Sequence, residues 1–137
     1  MVEALRSALA SDERVAYALL FGSAAGGTDR ADSDVDVAVG FLAGVRLSPR
    51  ELGEMTARLE AAAGRRVDLV LIDEAPPGLA YRVFRDGVVL VVTDRAALVD
   101  RKAKAILEYL DFQWVEEAFA QAALARAARQ GRSTSGA

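Results

Sequence analysis

Leu19-Leu20-Phe21-Gly22-Ser23, a polar loop, then Ser33-Asp34-Val35-Asp36-Val37-Ala38-Val39: the fold turns on this stretch. It reads as a strand, a tight Gly-Ser turn, a loop and a second strand carrying two acids. Residues i and i+2 of a strand share a face. Asp34 and Asp36 therefore share one face, and Val35, Val37 and Val39 the other. Two carboxylates about 6 Å apart at an effective dielectric of about 20 repel by roughly 3 kcal/mol, and partial burial adds a desolvation cost. A divalent cation between them would remove that repulsion, and hard oxygen ligands suit magnesium. A solvent-facing edge strand with harmless acids is the plainer reading of an isolated D-x-D. Gly22-Ser23 upstream and another strand-borne acid downstream favour the metal.

The composition narrows the chemistry. A chain of 137 residues supports one domain with a substantial core. A net charge of −3 gives no electrostatic footprint for general nucleic-acid binding, so no direct nucleic-acid contact is expected. With no cysteine and no histidine, zinc sites of the usual kind, disulfides, thiol nucleophiles and His-based triads are excluded. What remains is chemistry on carboxylates, hydroxyls, Lys or Arg, and a bound metal. The first residues lack the basic-then-apolar order of a signal peptide, and no apolar run approaches about 20 residues. A cytoplasmic protein with no membrane span is the expectation.

Outward from the acidic strand, Val2, Leu5, Ala8 and Leu9 fall at helical spacing. Arg14 to Phe21 reads as a buried strand. Gly22 allows a sharp turn and close approach of a ligand, and Ser23 could cap a short helix whose free N–H groups favour phosphate. An ordinary turn with an N-cap explains an isolated Gly-Ser equally simply. Ser48, Pro49 and Glu51 predict a capped helix start, with Leu52, Met55, Leu59 and Ala62 as its buried stripe and Gly64 as its stop. Val67 to Ile72 is an apolar strand interrupted by Asp68, a charge that needs either a salt bridge, with Arg65 or Arg66 at hand, or a metal. Leu79–Arg85 reads as a short helix and Val88–Val92 as a further strand. A helix from Thr93 or Asp94 to about Leu110 is followed by Tyr109–Trp114, then a helix from Val115 to Arg129.

The expected fold is α/β: a mixed sheet of about four to five strands flanked by helices, with a helical C-terminal extension. The expected boundaries are residues 1–93 for the core, 94–130 for the helical extension of the same domain and 131–137 for a flexible tail. Should the Asp34/Asp36 and Asp68 strands be neighbours, three carboxylates can converge. Such a cluster beside a Gly-Ser phosphate cradle suits attack on a nucleotide phosphate, with Asp34 and Asp36 holding two metal ions and Asp68 completing the site.

Phe21-Gly22-Ser23, Gly27 and Ser33 to Val39, with Val67-Asp68-Leu69 as a third-acid strand, resemble the signature of the DNA polymerase β-type nucleotidyltransferases. Size and order are most similar to the minimal nucleotidyltransferases, often paired with a HEPN-domain partner. The resemblance implies ATP as substrate, Mg2+ as cofactor, Asp34, Asp36 and Asp68 as catalytic and metal-binding residues, and Gly22, Ser23 and Ser33 as nucleotide-binding residues. Lys102 to Phe119, around Tyr109-Leu110-Asp111-Phe112, resembles the end of the antitoxin branch, which transfers AMP from ATP to a tyrosine of a HEPN ribonuclease toxin. One residue departs from the pattern: family members commonly carry Arg where this chain has Gly26, which puts triphosphate affinity in doubt, with Arg30 as a possible substitute. Two other readings stand beside it: a nucleotidyltransferase acting on a small-molecule hydroxyl, and a decayed site that neutralises its partner by contact.

A domain this small has little surface to enclose an acceptor. The acceptor surface is therefore expected on a partner protein or a second copy. Tyr109, Phe112, Trp114, Val115 and Phe119 offer an aromatic face for it, unless they pack on their own sheet. Arg126, Arg129 and Arg132 could meet an acidic partner or simply be a solvated basic end.

Overall fold

The computed structural model describes residues 1–26 and 33–135. Gly27 and Arg30, singled out in the sequence, lie outside the described residues.

Four strands form one mixed sheet: β1 (Val15–Phe21), β2 (Val35–Phe41), β3 (Val67–Leu71) and β4 (Val88–Val92), in the order β3-β2-β1-β4. β1 runs antiparallel to both β2 and β4, whereas β2 and β3 are parallel. A parallel pair needs a crossover, and α3 (Pro49–Ala63) supplies it. The sequence signals at its ends act as read: Ser48 and Glu51 form a reciprocal capping box, and Gly64 closes the helix at φ +68°. The other helices are α1 (Val2–Ala10), α2 (Ser23–Gly26), α4 (Pro77–Asp86) and α5 (Arg95–Ser135).

Alternation along β2 divides the core. Val35, Val37 and Val39 pack with Leu5 and Leu9 of α1 and Met55 and Leu59 of α3. Ala38 faces the other way, toward Ile72, Ala80 and Val83 of α4, and Ala105 of α5. β1 is covered on both faces, and Val15 to Leu20 are all buried, as its unbroken apolar run requires. On the second face Tyr17 lies across Gly40, where a Cβ would overlap its ring. Burial, then the nearby Asp73 carboxylate, pushes the Tyr17 hydroxyl well above its ordinary pKa.

Two devices fasten the edges. The Asp12 carboxylate accepts from Arg14 Nη2 at 2.8 Å and Arg58 Nη2 at 3.2 Å, tying the end of α1 to α3. β4 is an edge strand whose pairing with β1 shifts register between Ala18 and Leu19. Its Leu90 carbonyl accepts from Arg6 Nε at 2.8 Å. An irregular, side-chain-capped edge is a poor template for strand addition.

The C-terminal region departs from the expectation of two helices around Tyr109–Trp114. α5 is one helix of 41 residues. Residues 95–130 contain no proline or glycine, so nothing breaks the hydrogen-bond ladder, and the alanine-rich second half has high helix propensity. The helix continues to Ser135, into the segment expected to be a tail. It is held to the body by Arg101, whose Nε donates to Asp73 Oδ1 at 3.1 Å and whose Nη2 donates to Ile72 O at 3.0 Å. Among the described residues no helix is long and apolar enough to cross a membrane.

Candidate active site

The acids meet because the strands that carry them are neighbours. Asp36 on β2 is the register partner of Phe21 on β1 and of Asp68 on β3. Cα partners in a sheet project to the same face, so Asp36 and Asp68 stand side by side. Asp34 lies immediately before β2 and is exposed. All three gather at one end of the sheet, where β1 turns at Gly22.

Gly22 does more than turn the chain. Its φ is +75°, and a Cβ built there would overlap Asp36 Oδ2 and stand 3.2 Å from its Cγ. The Asp36 carboxylate is therefore seated on the glycine backbone. It is half-buried, and burial first, then Asp68 and Asp34, push its pKa above the ordinary carboxylate value. The sequence reading put a desolvation cost on Asp34 and Asp36 through partial burial and on Asp68 through its aliphatic strand. β3 is the outer strand and Asp68 is exposed, so the cost falls on Asp36.

A carboxylate kept half-buried against two like charges, with a glycine cut away to admit it, fits the hard oxygen set of a divalent metal. Among the described residues no three acidic side chains already stand close enough together to enclose an ion. Asp34 and Asp68 are exposed.

The Gly-Ser turn differs in detail from the expectation. Ser23 is the first residue of α2 rather than a cap ahead of it. The N–H groups of Ala25 and Gly26 close on Gly22 O, both at 3.2 Å, whereas the first N–H groups of a helix have no intrahelical acceptor. With four residues, α2 has little macrodipole, so a phosphate there would rest on individual N–H groups. Ser33 is half-buried just before Asp34. The larger hollows lie elsewhere: one of about 430 Å³ bordered by Phe41, Arg46, Leu71 and Glu74, and one of about 410 Å³ around Asp12, Arg14 and Arg58. Neither contains any of the three acids.

The sequence reading offered Tyr109 to a partner-facing aromatic surface and gave Tyr81 no role, and the two meet between α4 and α5. Tyr81 and Tyr109 stack with ring centroids 4.1 Å apart and an interplanar angle of 4°, and the Arg85 guanidinium sits 5.5 Å from the Tyr81 ring centroid. Only the 3.6-residue periodicity of both helices pointed toward this pairing.

This sheet and its paired acids define a nucleotidyltransferase of the polymerase β type. Residues 3–96 match the family described as polymerase beta, nucleotidyltransferase, and the chain belongs to it. A solved toxin–antitoxin structure with AMP-PNP is similar at 25% identity, with 90% of this chain and 98% of that chain covered and a TM-score of 0.73. The structure of a tri-AMPylated Shewanella oneidensis HEPN toxin in complex with MNT antitoxin is similar at 22% identity, 90% and 99% coverage and a TM-score of 0.67, which is a likeness of fold. A minimal nucleotidyltransferase is 33% identical over 64% of this chain and 86% of its own, with a TM-score of 0.53. No curated protein matches the chain at significance. The expected fold and the resemblance to minimal nucleotidyltransferases are both borne out.

Proposed function

We propose that this protein is an antitoxin-type nucleotidyltransferase that moves AMP from ATP to a tyrosine hydroxyl of a HEPN ribonuclease toxin. The observation that carries the reading is the seating of Asp36 against Gly22 with Asp68 in register beside it. That is an acidic pocket with a stability cost and no structural return unless a cation and a phosphate occupy it. The solved relative holding AMP-PNP and the relative with an AMPylated HEPN partner supply the nucleotide and the acceptor class.

In this reading Asp34, Asp36 and Asp68 hold Mg2+, which would neutralise triphosphate charge and acidify the acceptor hydroxyl. Gly22, Ser23 and Ser33 bind the triphosphate. Asp68, the most accessible acid of the sheet, takes the acceptor proton. The tyrosine oxygen forms a bond to the α-phosphorus, the bond from that phosphorus to the bridging oxygen of the β-phosphate breaks, and pyrophosphate leaves.

The test is the intact mass of the HEPN protein after incubation with this chain, ATP and magnesium. A gain of one or more AMP units, absent with the Asp34→Asn, Asp36→Asn double variant, is expected. No gain while a stable complex still forms sinks the reading. It would favour neutralisation by contact, for which Gly26 is the motivating residue. Among the described residues a Cβ built on Gly26 meets nothing within 4 Å, and Gly26→Arg should restore transfer if the missing Arg is what disables the site.

A further inference from the structure

One peptide group ties the end of α3 to the strands that carry the acids. Val35 stands between Asp34 and Asp36 and is the register partner of Val67. Its N–H donates to the carbonyl of Arg66 at 2.9 Å. In a parallel pair, a residue that bonds across does so to the neighbours of its partner, so the N–H of Val67 points away from β2. β3 is the outer strand of the four, and the acceptor for that N–H must come from elsewhere. Glu60, in the last turn of α3, supplies it: its Oε2 accepts from Val67 N at 3.1 Å.

We propose that Glu60 is a positioning residue for the three acids, acting through the peptide that joins Arg66 to Val67. That peptide is held at both ends. Its carbonyl accepts from Val35, between two of the acids, and its N–H donates to Glu60, one residue before the third. A carboxylate acceptor makes a charge-assisted hydrogen bond, stronger than one between neutral groups. Polarising the N–H also strengthens the carbonyl of the same peptide as an acceptor, so one side chain firms the start of both strands. Glu60 is itself anchored, because its own carbonyl accepts from Gly64 N at 2.8 Å.

The need is local. Val67 is 7% exposed, and its N–H without an acceptor would be a costly orphan. An edge strand that loses its outer hydrogen bond frays from that end. Asp68 is the next residue, so it would lose its place beside Asp36 before the rest of the sheet is disturbed. Glu60 stands one peptide removed from the acids, as an outer partner stands to a metal ligand, where loss costs about 10–100-fold in metal affinity or activity.

This inference rests on the acids forming the proposed site, so its test includes a readout that needs neither metal nor acceptor. Amide hydrogen exchange, followed by NMR on the full chain, should be faster by about tenfold or more at Val35 as well as Val67 in Glu60→Ala. It should stay close to native in Glu60→Gln, whose amide oxygen can still accept. The magnesium concentration giving half the maximal rise in Tm should increase by about tenfold or more in Glu60→Ala. The kcat of AMP transfer should fall by a similar factor, with KM for the acceptor protein unchanged. Glu60→Gln should recover most of both. Ser48→Ala, which weakens the other end of α3, is the control and should leave the magnesium midpoint and kcat as they are. Native exchange at Val35 in Glu60→Ala, a Glu60→Gln no better than Glu60→Ala, or a Ser48→Ala that shifts the midpoint as far overturns the proposal. A native chain whose Tm ignores magnesium overturns the active-site reading instead, and exchange at Val35 then decides whether Glu60 holds the strand ends.

Discussion

At Gly22 a side chain would fail twice. The φ of +75° disfavours any Cβ, and the Cβ would occupy the space of the Asp36 carboxylate. Gly22→Ala is expected to lower stability by about 1–3 kcal/mol and, by displacing Asp36, to slow AMP transfer by about 100-fold. Thermal unfolding and labelling of the acceptor measure the two effects. Asp36 gives a prediction of the opposite sign. Burial, Asp68 and Asp34 hold its folded pKa above the ordinary value. The folded state thus favours the protonated form, so this contribution to stability is full below the unfolded pKa and is lost as pH rises through the raised one. At neutral pH Asp36→Asn should therefore stabilise the metal-free chain, by about 0.5–2 kcal/mol, while abolishing transfer. Magnesium should raise the Tm of the native chain and leave that of the variant unchanged. A variant less stable than the native chain would show that Asp36 is structural. Asp12 runs the other way: its hydrogen bond from Arg14 is the main cause of its lowered pKa, so its contribution is present above the unfolded pKa and lost on acidification through the lowered one. That Asp36 and Asp68 could meet on neighbouring strands was legible from spacing and chemistry. That Gly22 exists to admit Asp36 was not, because the contact joins two strands whose register no local pattern specifies.

At the scale of elements, legibility followed how local the signal was. α3 was readable at both ends because Ser48, Glu51 and Gly64 act on backbone groups within one turn. Ser48→Ala should cost about 1 kcal/mol, read as a lower urea midpoint with an unchanged slope. A slope that changed would mean the cap also shapes the unfolded ensemble. β2 was readable because its alternation is strict. α5 was misread as two helices because Tyr109–Trp114 is rich in aromatic residues. Those residues carry a small propensity penalty, far below the roughly 3 kcal/mol of a proline, and a helix this long absorbs it. The sequence also could not say that the distal apolar residues stay exposed. Periodicity identifies an apolar face and is silent on which chain covers it.

For the whole molecule, the candidate chemistry and the distal half of α5 occupy different parts. The acids lie at the end of the sheet where β1 turns, on strands held by α1 and α3 on one face and α4 and α5 on the other. Among the described residues, the distal half of α5 adds no buried residue to that body. A chain ending at Leu110 keeps Arg101 on Asp73 and Ile72, Ala105 in the core and Tyr109 on Tyr81. It is expected to unfold cooperatively and to retain magnesium-dependent stabilisation, because the acids and the Gly22 turn are untouched. Transfer of AMP to an acceptor protein should fall in the shortened chain through a higher KM with kcat little changed, since binding surface is lost while the reacting groups remain. A loss of kcat with KM unchanged would place the distal helix within the catalytic site, and would show that the body described here is not the whole of it.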